Sequence, residues 1–283
     1  MGAVARLLPD GQRLHLQHGP IDLIVGAEGA RDLAFAAARV RFETILQELV
    51  AELPLLRREV GDWPAGVVAR RMFGVVQPHG AQFVTPMAAV AGAVAEEVLA
   101  SMVAAGSLTR AYVNNGGDIA FYLRSGERFR MAVAGLDGSA LGRIDVGYDD
   151  AARGVATSGW GGRSFSLGIA EAVTVLARSA SEADVAATLI CNAVDLPGHP
   201  GVGRAPAQSL QPDSDLGGRL VTVSVGALTE AEVVEALARG AVVAEDICGR
   251  GLALSAALFL KGQARMVGQA ALSLIPDRSL CDA

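Results

Sequence analysis

The stretch SEADVAATLICNAV, Ser181–Val194, is alanine-rich and reads as a helix, yet it carries an aspartate and a threonine four residues apart. In a helix, positions i and i+4 lie one above the other, so the Asp184 carboxylate and the Thr188 hydroxyl face one point about a turn wide. Two hard oxygens aimed at one point suit a hard cation. Ordinary structural roles also fit: Ser181 and Asp184 have capping-box spacing, and Thr188 can return its hydroxyl to the carbonyl of residue 184. Ser179 and Glu182 form the same box two residues earlier with the more usual glutamate, so the helix can start there and leave Asp184 in its second turn.

Upstream of this helix lies a run of short extended segments, RAYVNN, DIAFYL, RFRMAVAGL, GRIDVGY, GVATSG and AVTVLA, joined by tight turns. That pattern is antiparallel in character. Before it come a β-hairpin and a further strand (ARLLPD, RLHLQHG, DLIVGAEG). A helix follows from Ala30 to about Leu53, with a stripe of Leu33, Val40, Phe42, Ile45, Leu46 and Leu49. A shorter helix near Val67–Val76 is broken by QPHG, and a second long helix runs from Pro86 to about Ala105. After the opening stretch, residues 196–218 read as a long loop rich in Gly, Pro, Ser and Asp, a length that points to mobility or function. A strand (RLVTVSVGAL), a helix from Thr229 to about Cys248 and a hairpin turning at KGQ close the chain. The expectation is an α+β fold with antiparallel sheets packed against helices, one domain over residues 1–283 with room for two subdomains.

The chain has 283 residues, 51% of them hydrophobic and only 5% aromatic, which is ample for a core built of Ala, Val and Leu. A net charge of −6 argues against a nucleic-acid or anionic-membrane surface, since phosphate binding needs clustered Lys and Arg. The longest apolar run, FVTPMAAVAGAVA, is cut by Glu96 and Glu97 and falls short of the ~20 residues of a spanning helix. The N-terminus has no export-signal pattern, so the expected location is the cytoplasm. Cys191, Cys248 and Cys281 are odd in number and widely spaced, and read as reduced thiols. The Ala/Val-rich helices leave a homo-oligomer open.

Two glycine-bearing segments flank the opening helix in sequence. NNGGD places Asn114, Asn115, Gly116, Gly117 and Asp118 between two strands, either as a hairpin turn needing positive φ or as a backbone cradle for a ligand. GVATSGWGGRSFSLG, Gly154–Gly168, offers Thr157, Ser158 and further glycines, with Arg163 as a counter-charge for phosphate oxygens. It lacks the G-K-[ST] ending of a Walker A loop. His79, in VVQPHGAQFVTP, reads as an exposed turn residue or as a proton carrier near neutral pH. His15, His18 and His199 have no metal-triad spacing.

In this order the segments resemble the ApbE-like superfamily, whose enzymes are FAD:protein FMN transferases with a T-fold-related architecture, and within it the UPF0280 family. The helix from Met87 to Glu96 followed by NNGGDIA is similar to the transferases' helix with "GIAKG" and strand ending in "GGD". Thr157–Gly159 matches "TSG", and Ala183–Thr188 matches "ADALAT". The resemblance implies that Asn115, Gly116, Gly117, Asp118, Thr157, Ser158 and Gly159 hold a flavin nucleotide, FAD. It further implies that Asp184, Thr188 and the carbonyl of Ala88 hold Mg²⁺, with an acceptor flavoprotein as partner. Two features depart from the transferases: Ala91 stands where they carry a lysine, and their "HxxDPxTG" segment is missing. Flavin transfer therefore stands beside two other readings, a non-catalytic flavin- or nucleotide-binding module and a structural protein.

Overall fold

The computed structural model describes residues 2–59, 61–135, 140–268 and 272–274. Turn chemistry sets the first strands. The Asp10 carboxylate accepts the N–H groups of Gln12 and Arg13 and Gly11 takes φ 66°, so β1 (Val4–Leu7) folds back on β2 (Arg13–His18). Gly19, at φ 57°, then turns β2 into β3 (Ile21–Gly29).

Helix α1 (Arg31–Leu56) buries Ala34, Phe35, Ala38, Phe42, Ile45 and Leu49. This corrects the expected stripe at two positions, because Leu33 and Val40 are 58% and 70% exposed. The small side chains of Ala34 and Ala38 let the helix lie against its neighbours along that line, which turns Leu33 and Val40 outward. Helix α2 (Val67–Val76) has the bounds its pattern predicts. A 3-10 turn at Gln77–His79 follows, and another at Pro86–Ala89 runs into α3 (Val90–Ala105).

The strand-rich middle comprises β4 (Leu108–Asn115), β5 (Asp118–Leu123), β6 (Arg128–Ala134), β7 (Ala140–Gly147), β8 (Gly154–Ser158) and β9 (Ala172–Ala177), followed by α4 (Ala180–Ala193). Residues 196–218 are not a bare loop. They contain β10 (Val202–Pro206) and α5 (Ala207–Leu210), and β10 pairs antiparallel with β11 (Leu220–Val225). Helix α6 (Glu230–Gly249), opened by a full capping box on Thr229 and Glu232, leads to β12 (Ser255–Leu260), β13 (Gln263–Gly268) and β14 (Leu272–Leu274). Cys281 lies outside the described residues; Cys191 and Cys248 are free thiols.

Nine strands form one antiparallel sheet in the order β1-β2-β3-β4-β5-β8-β9-β12-β13. Helices α1, α3, α4 and α6 share the large core on one of its sides. A second cluster, with Phe121, Val155, Leu176 and Phe259 from the large sheet and Val133, Ile144 and Val146 from β6 and β7, joins the three-stranded sheet β14-β7-β6 to it. The fold is therefore α+β. Strands β9 and β12 are buried along their whole length, which is why they read as continuous apolar runs rather than alternating ones.

The large sheet is thinnest between β5 and β8, where among the described residues Ile119 pairs with Val155 and Ala120 with Gly154. Helices α3 and α4 pack together over this seam. Glycine lets the backbones touch here: a Cβ on Gly92 of α3 would stand 2.3 Å from the Ala180 carbonyl oxygen, and one on Gly154 of β8 would stand 2.2 Å from that of Ser179. The Pro86–Ala105 helix is long and apolar enough to cross a membrane by length and composition, contrary to the expectation drawn from Glu96 and Glu97. In the fold it packs against α1, α4, β4 and β5.

Replacing Gly154 by alanine forces its Cβ into the backbone at the start of α4. The expected cost is about 1–3 kcal/mol, an overpacking penalty, read as a lower urea midpoint. An unchanged midpoint would show that α4 can move away freely.

Candidate functional site

The seam is organised by two carboxylates that cross between helices. Asp184, in the second turn of α4, accepts the Gly92 N–H at 3.0 Å, and the Ala91 N–H points at the same carboxylate. These are first-turn donors of α3, whose own N-cap residue, Ala89, offers no side-chain acceptor. In return Glu96 of α3 accepts the Ser181 N–H at 2.6 Å and its hydroxyl at 2.8 Å, in the first turn of α4. Each helix thus supplies the other's terminal acceptor. Ser179 caps α4 locally by accepting the Glu182 N–H at 3.3 Å, so Asp184 is not part of a Ser181 box.

Asp118 stands at the start of β5, beside the Thr157 N–H and facing Asp184. Burial, opposed in part by that N–H and by the charge of Arg163, pushes the Asp118 carboxyl up to about 7. Burial, then the neighbouring Asp118, also pushes Asp184 well above the carboxylate range, against the pull of the Gly92 and Ala91 N–H groups. Two carboxylates at close quarters cannot both keep full charge without a proton or a cation between them.

The surrounding groups have mixed roles. Asn115 is 4% exposed; its amide donates to the Ala91 carbonyl at 3.2 Å, and its Oδ1 is buried without a partner. Gly116 and Gly117, at φ 69° and 114°, make the β4–β5 turn, with the Gly117 N–H donating to Asn114 Oδ1 at 2.8 Å. The Thr157 hydroxyl is spent on Thr174 of β9, 2.9 Å away, and Ser158 lies against the buried Cys191 thiol. Gly159 serves packing, since a Cβ there would stand 2.2 Å from the Glu171 carbonyl oxygen. The Thr188 hydroxyl has no hydrogen-bond partner among the described residues, so it does not return to the carbonyl of residue 184. The 3-10 turn carrying Ala88 packs on α4.

Asp118, Asn115, Asp184 and the start of α3 therefore meet at one place, while Thr157 and Ser158 reach it by backbone and position rather than by free hydroxyls. The sequence reading missed Glu96. Its signal was a glutamate four residues after Gly92 in an otherwise apolar helix. Glu96 and Glu97 are also tied to Arg71 at 3.1 Å each, and Glu97 to Arg41 at 2.7 Å.

His79 corrects another expectation. It is buried, 4% exposed, and its charged neighbours are Arg250 and Asp246 of α6. Burial, reinforced by Arg250 and opposed by Asp246, lowers it to about 4, so the imidazole is neutral at pH 7. The segment 196–218 is anchored as well. Asp215 accepts the Thr85 hydroxyl at 2.5 Å, Arg57 pairs with Asp213 at 2.8 Å, and Arg204 pairs with Asp195.

An antiparallel sheet backed by helices carries NNGGD, TSG and ADVAAT in sequence order around one seam. The family model described as AbpE bacteria matches residues 5–266, and the chain belongs to that family, on the UPF0280 side of the ApbE-like proteins. It is 42% identical to a UPF0280 protein of Methanopyrus kandleri over 44% of this chain and 48% of that one. It is 41% identical to a UPF0280 protein of Methanococcoides burtonii over 42% and 50%. The matched part of the chain thus spans about half the length of these curated relatives. The apo crystal structure of the Pseudomonas stutzeri flavinyl transferase ApbE covers 97% of this chain and 95% of its own at 12% identity and a TM-score of 0.47, a likeness too distant to carry weight.

Two pH effects follow from half-buried Asp118 and buried His79. Asp118 is raised, so its contribution to the ligand-free fold is full below its ordinary 3.8 and is lost as pH rises through about 7. His79 is lowered, so its contribution is full above its ordinary 6.5 and is lost as pH falls toward about 4. Urea midpoints followed across this range should become flatter on the alkaline side in Asp118→Asn and on the acid side in His79→Gln. Parallel profiles for wild type and both variants would contradict the assignment.

Proposed function

We propose that the chain binds the diphosphate of a flavin nucleotide, FAD, at the β5/β8 seam through Mg²⁺, as an FMN transferase of the ApbE type. The observation that carries this reading is the facing pair Asp118 and Asp184 at the start of α3, both held toward the neutral form by burial. The donor set fits a hard cation. It consists of a carboxylate with one oxygen engaged by the Gly92 N–H, the Thr188 hydroxyl without a protein partner, the nearby Ala88 carbonyl and the unpartnered Asn115 Oδ1. Among the described residues no group of three His, Cys, Asp or Glu side chains could hold a metal, so a cation here must draw on hydroxyl, carbonyl and ligand oxygens.

Asp184, Thr188 and Ala88 would hold the ion, which when bound supplies charge neutralisation for the diphosphate and for the oxygen that departs with AMP. Asp184 would do two things at once: it orients the first turn of α3 and would lend carboxylate oxygen to the ion. The Gly116–Gly117 turn admits a ligand close to the backbone. Asp118, facing Asp184 beside the Thr157 N–H, is placed to take a proton from an acceptor hydroxyl.

A second reading is favoured by Ala91. Its N–H is directed to Asp184 and its carbonyl accepts from Asn115, so the position of the family lysine supplies backbone but no side-chain amine. A protein so built could hold the flavin for a partner without transferring it. Incubation with FAD, Mg²⁺ and candidate acceptor proteins separates the two: AMP release with flavin attachment supports transfer, and tight FAD binding without AMP supports the binding module. Failure to bind FAD, FMN or ADP with Mg²⁺ present contradicts both.

The metal ligands are testable by thermal shift. Asp184→Asn keeps a helix-end acceptor, so the ligand-free fold should lose at most about 1 kcal/mol, while the extra shift given by Mg²⁺ with FAD disappears. Thr188→Val should lose the same shift at nearly constant volume. Full wild-type shifts in both variants would return Asp184 and Thr188 to purely structural roles.

A further inference from the structure

Arg163 lies in the loop between β8 and β9, where the base is fixed and the tip is open. Gly159 packs on the Glu171 carbonyl and the Trp160 N–H donates to the Ala170 carbonyl at 3.0 Å, whereas residues 161–164 are exposed. From that tip the guanidinium reaches back over the β4–β5 turn. Its atoms stand 3.2–3.4 Å from where a Gly116 Cβ would be, a place open only because Gly116 has none. Its charge acts on Asp118.

Two features set this arginine apart. Among the described residues it makes no hydrogen bond or ion pair of its own, whereas Arg71 and Arg41, the arginines against α3, are tied to Glu96, Glu97 and Glu48. The same loop holds another unspent donor, the Trp160 indole N–H, enclosed and without an acceptor. An enclosed donor left unpaired costs about 1–3 kcal/mol, so the loop has polar capacity that the protein alone does not use.

The other carboxylates near Asp118 are Asp184 and Glu96, and the Arg71 guanidinium beside them is already tied to Glu96 and Glu97, so an approaching phosphate meets carboxylates unless a cation faces it. A guanidinium presents a planar fork of donors matched to phosphate oxygens, and the glycines at 161 and 162 give the tip the freedom to bring it there.

We propose that Arg163 is the anion-recognising residue of the seam, taking a phosphate oxygen of the bound nucleotide and making the protein prefer phosphorylated over neutral ligands. This rests on the nucleotide-binding reading above and adds the residue that sets ligand specificity.

Calorimetric titration of the full chain, with Mg²⁺ present, tests it with two pairs of probes, ADP against adenosine and FMN against riboflavin. Wild type should favour the phosphorylated member of each pair. Arg163→Met, an exposed substitution that should melt as wild type does, should lose about tenfold or more of ADP and FMN affinity, the size of a charged hydrogen bond. It should leave adenosine and riboflavin unchanged and weaken the salt dependence of ADP binding. Arg163→Lys, which keeps charge but not the fork, should fall between. If Arg163→Met keeps the wild-type phosphate preference, or if wild type binds FAD but shows no such preference, Arg163 is not the anion residue and the nucleotide site stands without it. If wild type binds none of these ligands nor FAD, the nucleotide site fails and Arg163 with it.

Discussion

The exchange of carboxylates between α3 and α4 is the constraint on which the seam depends. A helix start leaves several N–H groups without intrahelical partners, and here neither helix satisfies them alone. Asp184 serves the first turn of α3, and Glu96 serves Ser181 in the first turn of α4. The exchange requires the backbones of α3 and α4 to approach within contact, which Gly92 permits, while Gly154 lets β8 approach the same helix start. It also fixes the position of Asp184 relative to β5, since α3 packs on β4 and β5 while α4 packs on β8 and β9. The site is rigid for the same reason that the two halves of the sheet are joined.

That arrangement has an electrostatic consequence. Placing Asp184 against a helix start favours its charged form, but burial and the neighbouring Asp118 act more strongly in the other direction. The ligand-free seam therefore holds carboxyl groups that are easily neutralised, either by protons or by a cation. Thr188, the Asn115 carbonyl oxygen and the loop of Arg163 add polar groups that the protein itself does not satisfy. Unpartnered polar atoms also stand elsewhere in the core, at His18, Thr222 and Ser255, so what marks this seam is their company with two facing carboxylates.

Much of the fold was legible in the sequence because its punctuation is local. The PDG and HG turns, the proline opening Pro86–Ala89 and the Ser179 cap announce elements whose bounds the structure reproduces. The misreadings came from partners distant along the chain. Strand β10 pairs with β11 across 14 or more residues and carries no alternating pattern, so its segment read as a loop. His79 read as exposed because the residues that surround it, Asp246 and Arg250 among them, lie far along the chain. The α1 stripe was misplaced at Leu33 and Val40 because large apolar residues outweighed Ala34 and Ala38, which are the ones packed. At the site, Asp184 and Thr188 were visible from spacing alone, and Asp118 from its glycine turn. The capping role of Asp184 was not, since its donors lie 92 residues away.

The central claim is that the Asp184–Thr188 face of α4 holds a divalent cation. Anomalous diffraction from crystals grown with Mn²⁺ and ADP tests it directly, Mn²⁺ standing in for Mg²⁺ with the same oxygen preference. The account requires a single strong peak at roughly 2.0–2.3 Å from the Asp184 carboxylate and the Thr188 hydroxyl, in contact with phosphate oxygens. A nucleotide bound at the seam with no peak beside Asp184, or a peak on residues elsewhere in the fold, would contradict it.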